Sequence, residues 1–109
     1  MNEVVAIDRN NPSESVLLHA VDVVRGGGLI VYPTETLYGI GADATNSSAI
    51  GRINTVKRRS DDKPILMIVS TLEMMSPYVE DISPSARVLM DAFWPGPLTL
   101  VFKSTDLVP

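Results

Sequence analysis

Two clusters of side chains in this 109-residue sequence have types and spacings that can do chemistry. The first is Thr34-Glu35-Thr36-Leu37-Tyr38, which places three hydroxyls and a carboxylate within one short run, followed by Gly39-Ile40-Gly41. Hydroxyls both donate and accept, so such a run suits hydrogen bonding to a small polar ligand. The glycines leave room for something to approach the backbone. The second cluster is Lys57-Arg58-Arg59 with Lys63, a large share of the nine basic residues gathered in one loop. The formal net charge is −4. One dense basic loop on an acidic chain points to a local anion site rather than a polyanion-binding surface.

Several chemistries are excluded at once. There is no cysteine, so disulfides and thiolate metal sites drop out. The single histidine, His19, leaves neither a histidine-rich metal site nor a Ser-His-Asp triad, and it reads as a solvated helix residue. No side-chain nucleophile and no metal-ligand set is therefore predicted. The N-terminus lacks a basic region followed by an apolar one, and no apolar run approaches the roughly 20 residues of a membrane span. A cytoplasmic location away from the membrane is the default expectation.

The elements that must position the two clusters can be read from periodicity and punctuation. Gly26-Gly27-Gly28 ends a helix, and Leu29–Tyr32 is a short β-branched strand stopped by Pro33. The hydroxyl run then forms a polar turn, and Gly39-Ile40-Gly41 a return. A strand end with convergent polar groups is where open α/β sheets place ligands. Before the glycines, Val4–Ile7 reads as a first strand. Asn11-Pro12-Ser13-Glu14 reads as a helix start with Asn11 as cap, and Val16, Leu17, Ala20, Val21 and Val24 form an apolar stripe over 12–25.

After the return, Asn46 or Ser47 caps a helix with Ala49, Ile50, Ile53 and Val56 on its apolar face, fraying near Lys57. Ile65–Val69 reads as a strand covered on both faces. Ser70-Thr71-Leu72-Glu73 opens a short helix that stops before Pro77, and Ser83-Pro84 opens another burying Ala86, Leu89, Met90 and Phe93. Trp94-Pro95-Gly96-Pro97 is a packing turn, and Leu98–Phe102 a last strand. Met67, Met74, Met75 and Met90 are core fillers. Strands alternating with helices indicate an α/β class with parallel or mixed pairing.

Four blocks in this order resemble the YrdC-like family, the threonylcarbamoyl-AMP synthases of tRNA modification. They are Gly27-Gly28 with Tyr32-Pro33-Thr34-Glu35-Thr36-Leu37-Tyr38-Gly39-Ile40-Gly41, then Lys57-Arg58-Arg59, then Lys63-Pro64-Ile65, then Trp94-Pro95-Gly96-Pro97-Leu98-Thr99. The resemblance implies a twisted open mixed α/β sheet with flanking helices around a concave basic groove. It implies a nucleotidyltransferase that converts L-threonine, bicarbonate and ATP, with Mg²⁺ on the phosphates, to threonylcarbamoyl-adenylate and pyrophosphate. A partner threonylcarbamoyl-transferase would then move the group to adenosine 37 of tRNA.

Carried over residue by residue, the resemblance assigns Thr34, Thr36 and Tyr38 to threonine binding. It assigns Lys57, Arg59 and Lys63 to ATP binding. The sequence departs from the family pattern at Arg58, where Gly, Asn or Gln is common, at Ser60, a frequent proline, and at Ile68, where some relatives use His. The family's Ser-x-Asn signature is expected beyond Pro109, making residues 1–109 the N-terminal portion of a single longer domain. A non-catalytic module of the same fold that binds double-stranded RNA or tRNA is the alternative. A carbamoyl-phosphate-linked maturation factor ranks last, because its zinc-finger cysteines are missing.

Overall fold

The computed structural model describes residues 3–109. Two compact units divide it, one ending at Ile65 and the other running Leu66–Pro109. In the first, helix α1 (Glu14–Arg25) leads to strands β1 (Ile30–Pro33) and β2 (Tyr38–Gly41) and then to helix α2 (Ser47–Lys57). The second holds helix α3 (Leu72–Met75), a 3-10 turn (Ser76–Tyr78) and helix α4 (Pro84–Phe93).

β1 and β2 form an antiparallel hairpin in which Ile30 faces Gly41, Val31 faces Ile40, Tyr32 faces Gly39 and Pro33 faces Tyr38. The register follows from packing. Tyr32 lies over the two glycines of β2, and a Cβ on Gly41 would come within 2.8 Å of its ring. The helix end before β1 is a Schellman motif: the Gly27 N–H donates to Val24 O and the Gly28 N–H to Val23 O. Gly27 sits at φ 83°, the left-handed region that L side chains avoid. Gly28 is needed for space, since a Cβ there would stand 2.8 Å from Val23 Cγ1.

α2 starts as expected, with Asn46 Oδ1 accepting from the Ala49 N–H at 3.1 Å. Its inward face is Ala49, Ile53 and Asn54, all buried. Val56, assigned to that face above, is 59% exposed. The buried stripe continues in steps of four and five from Ala49, so Asn54 takes the place given to Val56.

In the second unit Thr71, one residue later than Ser70, caps α3 by accepting from the Met74 N–H. As expected, α3 stops before Pro77, and the chain continues through Pro77 in the 3-10 turn. Ser83 caps α4 as read, accepting from the Ala86 N–H at 3.1 Å. Met75 and Met90 are core residues, whereas Met74, Leu89 and Phe93 are exposed. The Trp94–Pro97 turn is closed by the indole N–H donating to Leu98 O at 2.8 Å.

Three expected strands are not formed. Val4–Ile7, Ile65–Val69 and Leu98–Phe102 carry no strand assignment. An extended apolar run becomes a strand only when a neighbour accepts and donates its ladder bonds, and among the described residues no ladder joins these segments to a neighbour. Ile65–Val69 instead alternates half-buried and exposed, with Leu66 and Ile68 outward. Among the described residues, the chain after Leu98 pairs through an antiparallel bridge between Val79 and Ser104, flanked by Glu80 N–H to Lys103 O and Thr105 N–H to Tyr78 O.

The α1 reading also needs correction. The helix begins at Glu14 with Ser13 at the cap position and no side-chain cap bond. The N–H groups of Asn10 and Asn11 instead donate to Asp8 Oδ1, forming a local Asx turn. No α1 residue is fully buried. Its partner is a hairpin of two four-residue strands, about 13 Å long, too short to cover a helix of about 18 Å.

Candidate functional site

Both polar clusters lie in the unit that ends at Ile65. The hydroxyl cluster is the loop of the β1–β2 hairpin. Its first member, Thr34, is committed to holding the loop: the Thr34 N–H donates to Leu37 O at 3.2 Å, and the hydroxyl also donates to Leu37 O. The Thr36 N–H donates to Thr34 Oγ1 at 3.3 Å, and the two threonine hydroxyls lie 3.5 Å apart. Thr34 is thus the structural member of the pair, and among the described residues the Thr36 hydroxyl makes one long contact, to Thr34 Oγ1. Glu35 and Leu37 are exposed on the loop, and Tyr38 opens β2 with three-quarters of its surface in solvent. The hairpin brings Thr34, Thr36 and Tyr38 to one end of the sheet.

The basic cluster is built on the C-terminus of α2. Lys57 is the last helical residue, where the negative end of the helix dipole favours a cation. Arg58 follows in the left-handed conformation, φ 53° and ψ 46°. The Arg58 N–H donates to Thr55 O and the Arg59 N–H to Asn54 O. This is a second Schellman motif, with arginine where glycine usually stands. Glycine adopts this positive φ freely, whereas arginine occupies it at a cost.

Arg59 then turns back, its Nη2 donating to Pro64 O at 2.9 Å. Lys63 is exposed, its N–H donating to Ser60 O at 3.2 Å. The Ser60 hydroxyl donates to Asp62 Oδ1, and two acidic side chains, Asp61 and Asp62, lie among the four cations of the cluster. Lys57, Arg59 and Lys63 are brought onto one loop. Among the described residues no hydrogen bond joins them to the hairpin turn.

Three supporting residues were not singled out by the sequence reading. Arg52, on α2, donates from Nη1 to Gly27 O at 3.0 Å and ties the helix to the glycine turn ahead of β1. Asn54, 3% exposed, donates from Nδ2 to Asp61 Oδ1 at 3.0 Å. The signal available for Asn54 was its position four residues after Ile50, a polar side chain on an otherwise apolar stripe. Asn54 Oδ1 and Arg59 Nε are both buried without a partner, and an orphaned buried group costs about 1–3 kcal/mol. Between the two clusters, Asp43 accepts from the Thr45 hydroxyl at 2.6 Å and from the Thr45 N–H at 2.9 Å. Those bonds, the hydroxyl first, hold its carboxyl below the usual value.

Comparison with known proteins gives a consistent picture. Residues 22–109 match the Sua5/YciO/YrdC family, described as "Telomere recombination". The chain is 39% identical over 90 residues to a threonylcarbamoyl-AMP synthase of Pyrococcus abyssi (strain GE5 / Orsay), covering 83% of this chain and 26% of that protein. It is 36% identical over 105 residues to the synthase of that name from Klebsiella pneumoniae subsp. pneumoniae, covering 94% of this chain and 55% of that one. Among solved structures, P. abyssi Sua5 complexed with L-threonine aligns with a TM-score of 0.86 at 36% identity, over 91% of this chain and 29% of that chain. That likeness bears out the expected fold class. The chain spans about half the length of the Klebsiella relative and about a quarter of the Pyrococcus one.

Proposed function

The chain belongs to the Sua5/YciO/YrdC family, and from that premise we propose that it forms the substrate-binding part of a threonylcarbamoyl-AMP synthase. The observation that carries this reading is the likeness to a Sua5 structure complexed with L-threonine. Both polar clusters fall inside the residues that match the family. The two compact units are read as parts of one family domain.

The reaction joins the amino group of L-threonine to bicarbonate as a carbamate with loss of water, and one carbamate oxygen attacks the α-phosphorus of ATP. The bond from that phosphorus to the oxygen bridging the β-phosphate breaks, and pyrophosphate leaves. Thr36 and Tyr38 hold threonine on the turn that Thr34 braces. Attack brings an anion onto a polyanion, so cations must screen like charges. Lys57, Arg59 and Lys63 fill that role, each charge-assisted bond being worth about 1.5–3 kcal/mol. Positioning and electrostatics carry such a transfer, with no covalent help from the protein.

Mg²⁺ fits as a companion of the triphosphate and not as a protein-held ion, because no three His, Cys, Asp or Glu side chains gather among the described residues. Bound there, it would neutralise phosphate charge. The product passes to a threonylcarbamoyl-transferase acting on adenosine 37 of tRNA, in the cytoplasm. No helix among the described residues is long and apolar enough to cross a membrane. The names of the relatives favour the synthase over the RNA-binding module.

The test is pyrophosphate release from ATP with and without L-threonine and bicarbonate, run beside calorimetric titration of each substrate. Release that requires both co-substrates, or saturable L-threonine binding lost in Thr36→Val, supports the reading. Release indifferent to L-threonine, or no binding of L-threonine and ATP at millimolar concentration, overturns it.

A further inference from the structure

We propose that Asn54 and Asp61 form a positioning pair that holds the basic loop and, through it, the guanidinium of Arg59. This inference rests on the nucleotide-site reading of that loop. The Schellman motif at the end of α2 places Asn54 third from the helix end and Arg59 just beyond the left-handed residue, joined by the Arg59 N–H to Asn54 O bond at 3.0 Å. In that motif these two positions usually carry apolar side chains in contact. Here they carry an amide and a guanidinium, and the orphaned atoms, Asn54 Oδ1 and Arg59 Nε, are a complementary acceptor and donor.

Asn54 is nonetheless fixed, because its Nδ2 donates to Asp61 Oδ1 at 3.0 Å across the loop. The loop from Arg58 to Lys63 is therefore fastened at three points. Arg59 N–H bonds to Asn54 O, the Asn54 amide to Asp61, and Arg59 Nη2 to Pro64 O. A guanidinium held through Nη2 by one carbonyl keeps Nη1 available for a phosphate oxygen, in a fixed direction. Counted by charge alone, Asp61 is an unwelcome neighbour for an anion site. Its hydrogen bond gives it a role that charge does not predict.

That contrast supplies the test. Asp61→Asn and Asp61→Ala remove the same charge, but only Asp61→Ala removes the acceptor for Asn54. Asp61 is itself exposed, so neither variant opens a cavity, and Asp61→Ala leaves the buried Asn54 amide without its acceptor. ATP affinity should fall about fivefold in Asp61→Ala relative to Asp61→Asn, the value of one ordinary hydrogen bond. The difference should vanish in an Asn54→Leu background, with thermal melts recorded for every variant. Amide exchange at Arg59 should quicken in Asp61→Ala and not in Asp61→Asn.

Equal ATP affinity and equal exchange in the two Asp61 variants overturns the pair. Exchange that quickens as expected while Arg59→Ala leaves ATP affinity unchanged keeps the pair as a loop clamp. That outcome overturns the nucleotide reading instead.

Discussion

Arg58 offers the most direct check on how the basic loop is made. It occupies φ 53° and ψ 46°, where an L residue's Cβ crowds the following carbonyl at a cost of about 1–2 kcal/mol. Glycine escapes that clash but loses more backbone entropy on folding, about 0.5–1 kcal/mol relative to alanine. The comparison that isolates the backbone is Arg58→Gly against Arg58→Ala, since both remove the same side chain and charge. Arg58→Gly should be the more stable by about 0.5–1 kcal/mol. For a domain of this size that corresponds to about 2–8 °C in melting temperature. Urea unfolding followed by circular dichroism, with unchanged m-values, measures the difference. If Arg58→Ala equals or exceeds Arg58→Gly, the left-handed cap is not formed in solution.

Glycines elsewhere predict effects of both signs. Gly51 lies inside α2 with open space where a Cβ would go, so Gly51→Ala should stabilise the protein by about 1 kcal/mol in the same unfolding assay. Gly27→Ala should destabilise by about 1 kcal/mol or more, because φ 83° excludes an unstrained Cβ. Arg59→Ala should weaken ATP binding at least about tenfold, or 1.4 kcal/mol, by calorimetry. Asp43, whose pKa is lowered by the Thr45 bonds, contributes stability that is complete above the ordinary carboxylate range. That contribution is lost as pH falls through the lowered folded value. In Thr45→Ala the Asp43 titration followed by NMR should move up toward 3.8, and an unmoved titration would refute the assigned cause.

How much of the site was legible depends on which forces placed it. The hairpin loop was readable because its determinants are local. Pro33 ends a strand, Thr34 bonds its own turn, and two glycines admit the Tyr32 ring, all within ten residues of chain. The helix starts at Asn46 and Ser83 were readable for the same reason, since a cap is a bond across three residues. The cationic loop was visible as a charge cluster, and its attachment to the end of α2 followed from helix periodicity.

What local sequence could not supply was partnership. The runs at 4–7, 65–69 and 98–102 have strand composition, yet a strand is defined by a neighbour, and composition does not say whether one is present. Asn11 had every property of a cap but lost its neighbourhood to Asp8, whose carboxylate captured the local N–H groups first. Asn54 and Val56 show the same limit at the site. Periodicity alone made Val56 the core residue, and only the packed helix put Asn54 inward, facing Asp61 seven residues later.

By itself, then, the sequence determined the turn chemistry, the helix starts at Asn46 and Ser83, the positions of both polar clusters and the family to which they belong. These depend on bonds between residues close in the chain. The tertiary structure decided which apolar runs found a ladder, which hydroxyl of the hairpin was spent on the turn, and how an amide and a carboxylate fasten the basic loop. Those outcomes depend on which groups meet after folding, and one buried hydrogen bond can decide them.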